Sequence, residues 1–188
     1  MFLTRSASDD DLLKGKSVAI LLFYTGCQDV CPLETANLVQ VQKLLGERMG
    51  KDIFFYSIAI DPWDTPKENK AYAKKFGVEP GWSFLSGKEA DISLIARKLG
   101  LSRASDAVSK DGHSASLMVG NVDSGMWMRN SALDAGEPGR VAALRHALRR
   151  QGRRGGARGP LMSPIRFVTR QGQPGIANVQ VAHLISQP

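Results

Sequence analysis

Apolar residues along this chain gather in short blocks, separated by breaks rich in glycine, proline and charge. Residues 16–24 (Lys-Ser-Val-Ala-Ile-Leu-Leu-Phe-Tyr) form a continuous apolar run, as expected of a strand buried on both faces. Residues 53–60 predict a second such strand. Between them Leu33, Leu38, Val41, Leu44 and Leu45 recur at helical spacing, and Gly46 to Gly50 end the pattern. The prolines of Asp61-Pro62-Trp63-Asp64-Thr65-Pro66 cut the second strand, and Pro66 suits the first turn of a helix over 67–76, stopped by Gly77. A short strand follows at 82–85. A helix over 88–99 comes next, with Ile92, Ile95, Ala96 and Leu99 inward. Residues 101–112 are polar and irregular. Residues 114–119 and 125–128 read as a hairpin turning at 120–124, and 140–150 as a terminal helix.

The order β-α-β-α-β-α-β-β-α implies an α/β fold, a mixed central sheet with helices on both faces. At 188 residues the chain suits one domain, placed at 1–150. Residues 151–188 read as a basic Gly/Arg-rich tail with two weak apolar runs, expected to be flexible or weakly structured. No apolar stretch reaches the ~20 residues that a bilayer span requires, and the first residues lack the pattern of a signal peptide.

The net charge of +7 is unevenly spread. Nine arginines and no acid lie beyond Pro138, which leaves 16 basic against 18 acidic residues elsewhere, a balance of −2. Such a tail can meet an anionic surface, membrane headgroups included. Only one aromatic residue, Phe167, stands among these arginines to stack on bases, so no specific nucleic-acid partner is expected.

The candidate chemistry lies where the first strand hands over to the first helix. Cys27 and Cys31 are the chain's two cysteines, in Phe23-Tyr24-Thr25-Gly26-Cys27-Gln28-Asp29-Val30-Cys31-Pro32. A bridge between them closes a tiny loop and adds little as a staple, which makes the pair functional rather than architectural. A helix beginning near Cys27 sets both sulfurs on one face at its positive end, where thiolate is favoured over thiol. Thiolates there can exchange with a disulfide or clamp a soft metal ion. The three-residue spacer widens the bite and suits copper(I), which takes two or three soft ligands. A closed structural zinc site needs four.

A third ligand has to come from elsewhere. Of the three histidines His113 is best placed, in a loop entering the hairpin, whereas His146 reads as a solvated helix position and His183 lies in the tail. Met118, Met126 and Met128 are alternative thioether donors, although strand alternation fits core or hairpin positions. Asp61 and Asp64 either orient His113, form a partner surface, or serve as a turn and a helix N-cap. The last is the reading that local sequence favours. Trp63 is either a docking residue or a packing residue on the rim.

Three stretches resemble the Sco/SenC family of thioredoxin-fold copper proteins. Residues 23–32 are similar to its Cys-x-x-x-Cys-Pro segment. Residues 57–66 are similar to its Asp-Pro-x-x-Asp-Thr-Pro loop, one residue shorter between the aspartates. Residues 111–117 are similar to its Asp-His-Ser/Thr segment, with Gly112 inserted. The resemblance implies a thioredoxin-like fold and copper held by Cys27, Cys31 and His113, with Cu(I) preferred and Cu(II) allowed. It further implies delivery of copper to, or upkeep of the thiols of, the binuclear copper site of cytochrome c oxidase. The implied partners are the copper-site subunit of that oxidase, or another copper-accepting protein, and a thiol reductant protein. The implied location is periplasmic or membrane-associated. Two other uses of the thiols stay open: a thiol–disulfide oxidoreductase with Cys27 attacking and Cys31 resolving, and a peroxide-reactive redox sensor.

Overall fold

The computed structural model describes residues 12–101, 115–121, 123 and 125–133. His113, His146 and His183, the helix expected over 140–150 and the basic tail lie outside the described residues. The elements run β1 (Ser17–Phe23), α1 (Val30–Leu45), a 3-10 turn (Gly46–Arg48), β2 (Ile53–Ala59), α2 (Pro66–Lys75), β3 (Trp82–Leu85), α3 (Glu89–Lys98), β4 (Ser116–Asn121) and β5 (Met126–Ser131).

The five strands form one mixed sheet in the order β3-β2-β1-β4-β5. β1 pairs in parallel with β2, and β2 with β3, while β4 runs antiparallel to β1 and to β5. β1 is central, and all seven of its residues are buried, as its unbroken apolar run predicts. Its alternate side chains face two cores. Ala19 and Leu21 pack with Leu38, Val41 and Leu45 of α1, whereas Val18, Ile20 and Leu22 pack with Ile92, Ala96 and Leu99 of α3. Helices therefore cover both faces, with α1 and α2 sharing one of them.

Two local features differ from the sequence expectation. The hairpin lies further along the chain: β4 runs two residues past the expected strand end at 119 and β5 continues to Ser131, with the ring of Trp127 over Gly120, where the sequence predicts a turn. A Cβ at residue 120 would collide with that ring, so glycine is what lets β4 continue. The phase of α1 also differs. Leu33 and Leu44 are exposed, and the buried face runs through Cys31, Glu34, Leu38, Val41 and Leu45. At about 100° per residue these five positions fall within one stripe, and positions 33 and 44 fall outside it, to one side.

The parallel strands β1, β2 and β3 all end at one edge, where α/β sheets place their ligand sites. The N–H of Ile60 donates to the C=O of Phe23 at 2.9 Å, the last rung between β1 and β2. The two chains then separate into the loops 24–29 and 60–65.

Candidate redox and metal centre

Cys27 and Cys31 are free thiols, 6% and 0% exposed, in a small cluster with Phe23, Ala59 and Tyr72. Phe23 meets Phe84 edge to face with ring centroids 5.0 Å apart, and Phe84 packs against the cluster that holds the sulfurs. α1 begins at Val30, so only Cys31 is helical, and Cys27 sits in the loop before it. This corrects the expectation that both sulfurs lie on one helical face. The pair is brought together by a turn in which the N–H of Cys27 donates to the C=O of Tyr24 at 3.2 Å.

The first turn of α1 has no conventional cap. Asp29 stands at the N-cap position and its side chain makes no cap hydrogen bond. Instead the N–H of Cys31 donates to Cys27 Sγ at 3.5 Å. Pro32 fits the third helical position, because an N–H there lacks an intrahelical partner in any case. The C=O of Cys31 accepts from Thr35 Oγ1 at 2.8 Å, and that hydroxyl meets Tyr72 Oη at 3.1 Å.

These surroundings separate the two thiols. Burial disfavours the Cys27 thiolate, but the backbone N–H groups of Cys31 and Asp29 outweigh it. Hydrogen bonds from the Cys31 and Tyr24 side chains help, and the thiol lies below its ordinary value. Cys31 is driven well above its ordinary value, chiefly by burial and further by the negative charges of Cys27 and Glu34. The surroundings thus favour thiolate at Cys27 and thiol at Cys31.

Glu34 is 1% exposed, and its Oε2 has no hydrogen-bond partner among the described residues. Burial, and then the charge of Cys27, push its carboxyl up to about 8. Sequence reasoning misses Glu34 because the apolar Leu33 beside it predicts the inward position. The corrected phase of α1, three residues on from Cys31, was the signal that could have found it.

Asp64 is 6% exposed and does not cap α2. The cap is Thr65, whose hydroxyl accepts from the N–H of Glu68 at 3.4 Å, while Glu68 Oε2 accepts from the N–H of Thr65 at 2.7 Å. Asp64 instead accepts the N–H of Thr25 at 2.8 Å, and the Thr25 hydroxyl as well. Asp61 makes the turn, accepting the Trp63 N–H at 3.1 Å through Oδ1. Trp63 is 82% exposed, which rules out packing on the rim. Met118 is buried in the α3 core and Met128 lies at the exposed surface. Among the described residues no cluster of three His, Cys, Asp or Glu side chains could hold a metal ion. His113, the third ligand that the family resemblance implies, lies outside the described residues.

Comparison with known proteins bears on this arrangement. The SCO1/SenC family model matches residues 4–129. The SCO1 protein homolog of Bacillus subtilis is 32% identical over 89 residues, 46% of this chain and 46% of that protein. The chain thus matches less than half the length of that curated relative. Among solved structures, a SCO1/SenC family lipoprotein from Bacillus anthracis is 25% identical with a TM-score of 0.60, covering 76% of this chain and 84% of that one. The structure of Bradyrhizobium japonicum ScoI with copper bound is 28% identical with a TM-score of 0.55, covering 74% and 89%.

Proposed function

The chain belongs to the SCO1/SenC family, with its thioredoxin-like fold, and on that footing we propose that it is a copper-binding assembly factor. Cys27, Cys31 and His113 hold the metal, Cu(I) by preference. The protein passes copper to, or keeps reduced the thiols of, the binuclear copper site of cytochrome c oxidase. The observation that carries this reading is the pair of free thiols at the head of α1, where Cys27 Sγ receives the Cys31 N–H at 3.5 Å. Two soft sulfurs, one of them favoured as thiolate, are the donor chemistry that Cu(I) selects. The copper-bound ScoI of Bradyrhizobium japonicum supports the same assignment.

In this reading each residue has a task. Cys27, the more acidic of the two thiols, offers the first sulfur. Cys31 has to give up its proton before it can serve as the second, which makes uptake pH-dependent. The aromatic wall of Phe23, Tyr72 and Phe84 limits water at the sulfurs. The relevant partners are the copper-site subunit of the oxidase, or another copper acceptor, and a thiol reductant protein. A periplasmic or membrane-associated site of action agrees with the Bacillus anthracis relative being a lipoprotein. Among the described residues no helix is long and apolar enough to cross a membrane.

The test is titration of fully reduced protein with Cu(I). About one copper per chain is expected, with none taken up by the oxidised form. Cys27→Ala or Cys31→Ala should abolish uptake, and His113→Ala should lower affinity sharply. Reduced protein that takes up no copper, or a His113→Ala variant that binds normally, would overturn the reading.

The unequal acidity of the two thiols favours a second use, thiol–disulfide exchange. Cys27 thiolate attacks a substrate disulfide, forming a mixed disulfide and releasing one substrate thiolate. Cys31 loses its proton and attacks Cys27 Sγ, closing the Cys27–Cys31 disulfide and releasing the second. Two electrons pass to the substrate, and a thiol reductant protein restores the pair. Substrate reduction at an unchanged rate in His113→Ala would favour this use over copper delivery.

A further inference from the structure

We propose that Asp64 is a positioning residue for the dithiol, holding through Thr25 the loop that carries Cys27. The inference rests on Cys27 and Cys31 being the working groups.

A carboxylate as buried as Asp64 is costly unless its oxygens are satisfied. Both are satisfied by one residue: Oδ2 accepts the N–H of Thr25 at 2.8 Å and Oδ1 accepts its hydroxyl. Among the described residues no cation pairs with Asp64. The carboxylate is thus committed to a single point on the opposite loop, 39 residues away in sequence.

Asp64 is itself fixed from behind. Its N–H donates to the C=O of Asp61 at 3.0 Å. Its own C=O accepts from Ser86 Oγ at 2.8 Å, and Ser86 Oγ accepts from Asn69 Nδ2 at 2.7 Å. The next residue, Thr65, begins α2 with a capping box. The end of β3, the start of α2 and the β2–α2 loop therefore act as one strut ending on Thr25.

Only Gly26 separates Thr25 from Cys27. The loop has its own turn, from the Cys27 N–H to the Tyr24 C=O at 3.2 Å, and Cys27 is buried; the strut ties that turn to the rest of the fold. α1 lacks a side-chain cap, and Gly26 carries no side chain to pack. Whether Cys27 Sγ stays under the N–H groups of Asp29 and Cys31 is then set by where Thr25 is held. Partners that orient a ligand in this way typically change metal affinity 10–100-fold when removed.

The test compares Asp64→Asn, Thr25→Val, their double variant and Thr25→Ser. Two measurements are made on reduced protein: Cu(I) affinity by chelator competition, and the pH profile of Cys27 alkylation in a Cys31→Ser background. Thermal unfolding confirms that each variant folds. Asp64→Asn and Thr25→Val should each lower copper affinity about 10–100-fold and move the alkylation profile to higher pH. The double variant should be no worse than the stronger single one, because the two groups act as a unit. Thr25→Ser keeps the hydroxyl and should restore both readouts. Should Asp64→Asn fail to fold, Thr25→Val and Thr25→Ser decide the question alone. An unchanged alkylation profile in folded Thr25→Val, additive losses in the double variant, or no rescue by Thr25→Ser would overturn the proposal. If wild-type protein takes up no copper, the copper reading fails by itself, and alkylation alone still judges the clamp.

Discussion

Helices α1 and α2 both start at the carboxyl edge of the sheet, yet different chemistry closes their first turns. At α2, Thr65 and Glu68 satisfy each other's backbone N–H groups, and Pro66 occupies the first helical position. At α1 the cap position holds Asp29, with φ −113° and ψ −96° and no side-chain cap. The N–H of Cys31 goes to a sulfur instead. A carboxyl on each helix follows the same division. Glu68, hydrogen-bonded to Thr65, lies below the usual carboxylate range, whereas Glu34, buried beside Cys27, is raised to about 8. One helix start is organised for stability. The other leaves its donors for a sulfur and has a buried acid nearby.

The largest break in this comparison is Cys27→Ser. The hydroxyl can still receive the Cys31 N–H, so unfolding free energy should change by only about 1 kcal/mol. Copper uptake should fall to background, because the soft donor is gone. Metal analysis and urea unfolding of the same sample separate the two effects.

Glu34 sharpens it through pH. Its carboxyl rises from an ordinary 4.5 to about 8 in the fold, so between those values the native state holds a proton that the unfolded chain has released. Stability of the reduced protein should therefore fall as pH rises through that window, by on the order of a few kcal/mol. Glu34→Gln should match wild type at the acid end and be the more stable above about pH 8. Urea unfolding across the range checks this, and a flat difference between the two proteins would refute the assignment.

Thr65→Ala tests the other helix. It should cost about 1 kcal/mol in chemical unfolding and move the Cys27 alkylation profile less than Thr25→Val does, because Asp64 keeps its bonds to Thr25, Asp61 and Ser86. The smallest effect is expected of Trp63→Ala. A side chain 82% exposed contributes little to folding, so the change should stay within about 0.5 kcal/mol by thermal unfolding.

Much of the fold was legible along the chain. The unbroken run of β1, the run of β2 and the short β3 were all read from apolar blocks, and Pro66 and Gly77 marked the limits of α2. Gly77 was a readable stop because it takes φ +68°, where a side chain would be strained. Of the site, the two cysteines and their place after β1 were legible. The roles of the acids were not. Asp64 precedes a good helix start and so resembled a cap, until Thr65 took that part and left its carboxylate to Thr25. Leu33 resembled a core residue because it is apolar, although the stripe through Leu38, Val41 and Leu45 leaves it outside and brings Glu34 in.

The sequence by itself determined the order of the described elements, the dithiol and the family resemblance. Each of these depends on periodicity, turn chemistry or spacing within a few neighbouring residues. Only the tertiary structure decided that Cys27 precedes the helix, that Asp64 reaches across to Thr25 and that Glu34 is sealed in without a partner for one oxygen. Those outcomes depend on how the sheet brings distant loops together and how deeply it buries them. A carboxylate's solvation and partners are properties of that packing, and residue type alone does not contain them.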